Sequence, residues 1–268
     1  MSFKNIIVKP NSINMTLYAS LGDIGSVIAM QKLIELRNVI AFANLAISKA
    51  ETTYDAITKY TLYRSAILDY NCCDDYIFQT IFFGFDFCSK IESSEQYLEQ
   101  LQKDCVRKIE DPQTGKLVAS PYVDKISELK SVNTFAKAFF SKYKKFRNAL
   151  RKSNVDISNW ANSIKHRGGF LVEELMDTSK IARVIITDHN GASIFDSSVM
   201  FSPTTFQEIR RRLEEQNKII YEFVNYLQDS IFGDTNIISD INVSNKLFSA
   251  KGYDYNDLKG NTYLTSLE

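Results

Sequence analysis

An all-α fold is predicted: an up-and-down bundle of long helices carrying one inserted β-hairpin. Three observations predict it. Apolar residues recur three and four apart over long stretches, which gathers them on one side of a helix with 3.6 residues per turn. Gly 10 and Pro 4 in 268 residues are too few for the many tight turns of an all-β chain. Asn190-Gly191 stands between two short runs rich in β-branched residues, a strong hairpin signal.

The first helix is predicted over about Asp23 to Lys49, with Val27, Met30, Ile34, Ile40 and Ala43 on its apolar face. A second runs from about Thr53 to Lys90, striped by Ile67, Tyr70, Ile77 and Ile81. Glu92 to Lys108 reads as a polar helical piece, and Asp111 to Pro121, with Pro112 and Gly115, as a loop. A third long helix covers about Val123 to Leu150, where Phe139, Tyr143, Phe146 and Leu150 share a face. A short one follows from about Asn154 to Arg167, opened by a capping box of Ser153 and Asp156 and stopped by Gly168-Gly169.

The hairpin is expected at about 181–199, with strands over Arg183 to Thr187 and Ser193 to Val199. A lone hairpin is marginal in water, so it should lie against the helices. Ser202-Pro203 opens the last long helix, to about Ile231, which buries Phe206, Ile209, Leu213, Ile220, Phe223 and Leu227. Residues 233–268 are polar and only locally periodic, and read as a loosely docked or disordered tail. Residues 1–232 then form a single helical-bundle domain.

Composition excludes several classes of function. Thirty-two Lys plus Arg balance 32 Asp plus Glu, and the pI is near 6.8, so the chain is neither a uniformly basic nucleic-acid coat nor an acidic tail protein. Cys72, Cys73, Cys88 and Cys105 lack paired Cys-x-x-Cys spacing and lie far from either histidine, so no metal and no cofactor is expected. They read as buried thiols in a reducing compartment. Met1 to Ser20 has no sustained apolar core, and Tyr76 to Cys88 is short and interrupted by Gln79 and Asp86, so the expectation is a cytoplasmic protein with no membrane partner. The chain has no glycine-rich phosphate loop, His-Glu-x-x-His helix or Gly-x-Ser-x-Gly elbow. Asp74-Asp75 and Glu173-Glu174 are adjacent pairs that point in different directions, which argues against a Mg²⁺-dependent nucleotide hydrolase. The aromatic residues, 12% of the chain, fall on helix stripes and read as core rather than base-stacking platforms.

Overall neutrality hides a polarised chain. Leu129 to Val172 holds ten basic residues and one acidic residue. Lys137, Lys144 and Arg151 recur every seven residues and so share a helix face; with Arg147 they are the candidate nucleic-acid contacts. On the next helix Asn162 and His166 lie opposite the apolar Ile157, Trp160, Ala161 and Ile164, with Lys165 and Arg167 beside them. A helix C-terminus favours cationic side chains, His166 among them. Asn71, Asp75 and Gln79, four apart within an aromatic-rich helix, read either as a hydrogen-bonded row that sets helix register or as support for a site.

The run Asn162-Ser163-Ile164-Lys165-His166-Arg167-Gly168-Gly169, following a basic helix, resembles the C-terminal motif helix of HEPN-like helical proteins. Tyr70-Asn71-Cys72-Cys73-Asp74-Asp75 resembles the motif-bearing first-half helix of uncharacterised bacterial members. The resemblance covers roughly Asp23 to Gly169 in helix order and is specific over those two stretches. It implies a four- to five-helix bundle of a kind that often forms homodimers. It also implies membership of a group that includes metal-independent ribonucleases of toxin–antitoxin or antiphage defence systems alongside members that only bind. His166 would then act as general base on a ribose 2′-OH, Lys165 or Arg167 would stabilise charge on the phosphate, and Asn162 would orient the imidazole or phosphate. The ribonuclease members carry an arginine four to six residues before the histidine; here Asn159, Trp160, Ala161 and Asn162 occupy that stretch. Arg183 and His189 keep the spacing on a predicted strand and turn, where it reads as chance. Two readings stay open. One is an RNA-binding endoribonuclease with an antitoxin or other protein partner. The other is a non-catalytic helical module that binds a protein or nucleic acid.

Overall fold

The structure is a computed structural model that describes residues 3–8, 24–85, 87, 93, 95–96, 98–99, 105, 108–110, 117–119, 122–153, 155–175, 185–187, 189–191, 193–196 and 203–231. Among them six α-helices carry the fold: α1 (Ile24–Thr52), α2 (Ala56–Gly84), α3 (Tyr122–Val132), α4 (Thr134–Ser153), α5 (Val155–Arg167) and α6 (Phe206–Ile231). The protein is all-α, and no described helix is long and apolar enough to cross a membrane.

Capping explains where the helices start. Asp55 opens α2 by accepting the Thr58 N–H at 2.7 Å, and the hydrogen bonds from Thr58 hold its carboxyl below the usual range. The helix expected over Val123 to Leu150 is divided in two. At the break the Asn133 side chain accepts the Ala136 N–H at 2.9 Å while the Asn133 N–H still bonds the Leu129 carbonyl at 3.0 Å. One asparagine therefore ends α3 and begins α4, because its short amide satisfies a backbone donor that a continuing helix would have used differently. Ser153, expected to cap α5, instead finishes α4 and donates to the Leu150 carbonyl at 3.1 Å. The last helix begins at Phe206 rather than at Pro203, because Thr205 Oγ1 accepts the Glu208 N–H at 3.1 Å and Glu174 Oε1 accepts the Phe206 N–H at 3.0 Å.

Two short strand pairs accompany the helices. β1 (Lys108–Glu110) runs antiparallel to β2 (Leu117–Ala119), with Ile109 opposite Val118. The strand pair takes the place of the helix end expected at Lys108 and the loop expected over Leu117 to Ala119. Pro112 and Gly115 break the helical periodicity, and short runs on either side of such a break can pair with each other. β3 (Ile185–Thr187) runs antiparallel to β4 (Ser193–Asp196), irregular between Ile186 and Thr187, with Gly191 at φ +78° between them. The rest of 181–199, most of Glu92 to Lys108, Cys88 and the tail 233–268 lie outside the described residues. Of the other thiols, Cys73 and Cys105 are buried and Cys72 is half-buried.

The chain forms two compact units. The first comprises Met1–Asn5, Val39–Cys73 and Ala149–Ile220; the second comprises Ile6–Asn38, Asp74–Asn148 and Tyr221–Glu268. In the first unit, Ile40, Ala43, Ile47, Ile67, Leu213 and Ile220 are buried together with the polar Asn44, Tyr70, Gln216 and Asn217. The Tyr70 hydroxyl donates to Asn44 Oδ1 and accepts from Asn217 Nδ2, both at 2.7 Å. Asn217 also accepts the Lys4 N–H at 2.9 Å and donates to the Lys4 carbonyl at 3.0 Å, and so meets both backbone groups of Lys4 as a neighbouring β-strand would. Asn44 Nδ2 adds bonds to the Lys4 carbonyl at 3.2 Å and to Asn5 Oδ1 at 2.7 Å. Burial, and then the nearby Cys73, push the Tyr70 phenol up from its ordinary value.

The second unit is held by rings. Phe85 packs on Phe139 with centroids 4.9 Å apart and on Phe140 at 5.0 Å, and Phe146 stacks on Phe223 at 4.2 Å. Phe139 stacks on Tyr226 at 5.7 Å, and Lys142 Nζ sits 3.6 Å from the Tyr226 ring centroid. Such pairs contribute about 0.5–1.5 kcal/mol each beyond the apolar area they bury.

Candidate nucleic-acid interface

α5 carries the candidate histidine. Ile157, Ala161 and Ile164 face the core, as their spacing predicts, and Trp160 is half-buried. Asn162, Lys165, His166 and Arg167 are all exposed. Asn162 and His166 occupy one side of the helix a turn apart, and among the described residues none of the four side chains makes a hydrogen bond or an ion pair. Asp156 in the first turn and Lys165, His166 and Arg167 in the last complement the helix dipole.

The turn that ends α5 is held in place. Gly168 has φ +81° and Gly169 φ +156°. The Gly169 N–H reaches back to the Ser163 carbonyl at 3.2 Å. The Tyr60 hydroxyl of α2 donates to the Phe170 carbonyl and accepts the Phe170 N–H, each at 3.1 Å. A Cβ at position 169 would lie 2.4 Å from that hydroxyl, so only glycine allows the close approach.

α4 presents its cations differently from α6. Lys137, Lys144 and Lys145 are exposed on α4 in the second unit, with no ion pair among the described residues. Arg151 and Lys152, in the last turn of α4 and within the first unit, are exposed too. Over its whole length, Thr134 to Ser153, α4 contains no acidic residue. α6, by contrast, matches every arginine with a carboxylate. Arg210 pairs with Glu51 and Glu214, Arg211 with Glu208 and Glu215, and Arg212 with Glu208 and with Asp156. The hydrogen bond from Arg211 leads the interactions that hold the Glu208 carboxyl below its ordinary range.

One expectation needs correction. Arg147, expected among the nucleic-acid contacts, bonds Asp74, and both side chains are largely enclosed at 16% and 18% exposure. A guanidinium engaged this way is not available to a phosphate without breaking a partly buried pair. The row Asn71, Asp75 and Gln79 lies on the flank of α2: Asn71 is half-buried and accepts from Ser158 Oγ at 3.3 Å, Asp75 is exposed, and Gln79 is half-buried. The buried face of α2 runs through Tyr63, Ala66, Ile67, Tyr70, Cys73 and Ile77. One residue along a helix turns the side chain by about 100°, so position 71 falls on the flank while position 70 falls in the core.

The buried amides were overlooked. Asn44 lies between the buried Ile40 and Ile47, and Asn217 between Leu213 and Ile220, each three or four residues away. A lone amide in register with an apolar stripe is the signal that would have found them.

Comparison with family models, with curated proteins and with solved structures gives no match.

Proposed function

We propose that the chain is an RNA-binding helical protein of HEPN-like character, contacting the phosphate backbone through the outer face of α4 at Lys137, Lys144 and Lys145. The observation that carries the reading is the contrast between helices. A face that is merely solvated has mixed charges paired three and four residues apart, as the Arg210 to Glu215 stretch of α6 does. α4 keeps cations without carboxylates, an arrangement that repels itself unless a polyanion comes to it. Each lysine on a phosphate releases condensed counterions, so binding must weaken as salt rises.

Lys137→Glu combined with Lys144→Glu should lower affinity for RNA by about tenfold or more at low salt and flatten the salt dependence by about two contacts. Fluorescence anisotropy of a labelled RNA over a salt series measures both. Unchanged binding at low salt would exclude α4 as the contact surface.

A second reading, metal-independent cleavage in a defence or toxin system, is favoured by the exposure of Asn162 and His166 on one side of α5. His166 would take the 2′-OH proton and Lys165 or Arg167 would face the phosphate. Purified wild type and His166→Ala should then differ in RNA turnover by at least 100-fold, the low end of general-base contributions of about 10²–10⁴. Equal residual turnover in both leaves the binding module.

A further inference from the structure

We infer that the stacked Trp160 and Phe170 form a platform for one unpaired nucleobase of a single-stranded RNA, with Arg167 beside it to meet an adjoining phosphate. The inference rests on the RNA-binding reading above and names the base-contacting site in the first unit.

Trp160 is the only tryptophan in the chain and its bulkiest apolar side chain, yet it stays half-buried while Ile157, Ala161 and Ile164 of the same helix are buried. Its ring lies 5.5 Å from that of Phe170 at an interplanar angle of 21°, a stacked pair. Phe170 is half-buried as well, unlike Phe139, Phe140, Phe146 and Phe223 of the second unit, which are buried. The position of Phe170 is set by three separate constraints: the Gly168-Gly169 turn, the two bonds from the Tyr60 hydroxyl, and the edge of the Tyr60 ring at 5.4 Å. Ending a helix needs only the turn. The remaining constraints hold two accessible rings in one geometry before anything binds, and a preformed stack gives up little freedom on contact.

One cation, Arg167, stands on the Trp160 side of the helix. Lys165, His166 and Arg167 are exposed without partners among the described residues, and Arg167 lies seven residues on from Trp160, on its side of α5. Asp156, the acidic residue on that side, is engaged by Arg212 at 2.9 Å. Aromatic faces beside an unneutralised cation suit a polyanion that itself carries π-faces. Single-stranded RNA offers them, whereas a duplex encloses its bases in the stack.

Trp160 reports on its own site, since no other tryptophan emits. The full chain is titrated with a single-stranded oligouridylate and with an abasic ribose-phosphate oligomer of equal length. Trp160 emission and the anisotropy of the labelled oligomer are followed together. Quenching by the base-bearing RNA but not by the abasic one, with Trp160→Leu binding the oligouridylate roughly tenfold more weakly and the abasic oligomer unchanged, is expected. Anisotropy that shows binding while emission stays constant, or changes equally with both oligomers, overturns the platform and leaves the α4 reading standing. Absence of binding to either oligomer overturns both. Thermal melts of Trp160→Leu and Trp160→Phe accompany the titration. Weaker binding by both variants to the abasic oligomer as well would mark a structural role and overturn the assignment.

Discussion

The two units solve the same packing problem with different chemistry. In the first, Tyr70, Asn44 and Asn217 are buried among aliphatic residues and satisfy one another and the Lys4 backbone through directional bonds of 2.7–3.2 Å. In the second, Phe85, Phe139, Phe140, Phe146 and Phe223 pack ring against ring. A hydrogen-bonded core depends on every partner being present, because an unsatisfied buried group costs its full desolvation. A ring cluster depends on volume, because its energy comes from contact and from area withdrawn from water. The first unit should therefore be sensitive to chemistry at constant shape, and the second to shape.

The largest expected effect tests the volume side. Phe139→Ala removes a fully buried ring that touches Phe85, Phe140, Phe223 and Tyr226 and should cost about 3–5 kcal/mol in denaturant unfolding. A loss below about 1.5 kcal/mol would mean that the cluster is loosely packed. Next comes Asn217→Leu, close in size, which strands the Lys4 N–H and the Tyr70 network. It should cost about 2–3 kcal/mol and speed hydrogen exchange at the Lys4 amide. Exchange at wild-type rate would show that Asn217 does not hold the segment.

The sharpest comparison makes one change in both units. Tyr70→Phe deletes the oxygen that serves Asn44 and Asn217 and should cost about 1–2 kcal/mol. Tyr226→Phe deletes an oxygen with no partner among the described residues and should change stability by less than about 0.5 kcal/mol. Equal effects would collapse the contrast between the units.

The smallest effect is a gain. Burial raises the Asp69 carboxyl above its usual 3.8. For an acid whose folded pKa is raised, stability is fully present below the unfolded value and lost as pH climbs through the folded one. Asp69→Asn should therefore stabilise the protein at neutral pH, by less than about 1 kcal/mol after allowance for solvent screening. The gain should vanish as the pH falls below 3.8. A gain that persists in acid would point to a cause other than ionisation.

Much of the helical framework was legible because its signals are local. Ile67, Tyr70, Ile77 and Ile81 on α2, and Phe206 to Leu227 on α6, are buried where their spacing places them. The Gly168-Gly169 stop ends α5 as read. Val27 and Ile34, expected on the buried face of α1, are only half-buried, while Leu33 and Leu36 take that place. An apolar stripe indicates a face to within a residue or so, and the neighbouring elements choose its centre. Asn133 was missed because asparagine within a periodic run looks like one more polar position until its side chain is seen to accept an amide. The exposed Asn162, Lys165, His166 and Arg167 could be read as a group, since one helix carries them all.

The sequence by itself determined the all-α class, the apolar stripes, the placement of cations without carboxylates along α4, and the glycine turn after α5. Helix hydrogen bonds span four residues and a helical face repeats within one or two turns, so these properties are written over short stretches. Only the tertiary structure decided which charges are neutralised and which amides are buried. Arg147 lies 73 residues from Asp74, and Asn217 lies 147 residues from Tyr70. Their encounter depends on how helices distant in the chain pack together. That packing withdrew Arg147 from the basic face, placed Tyr70 in the buried polar network, and set Phe170 against Trp160.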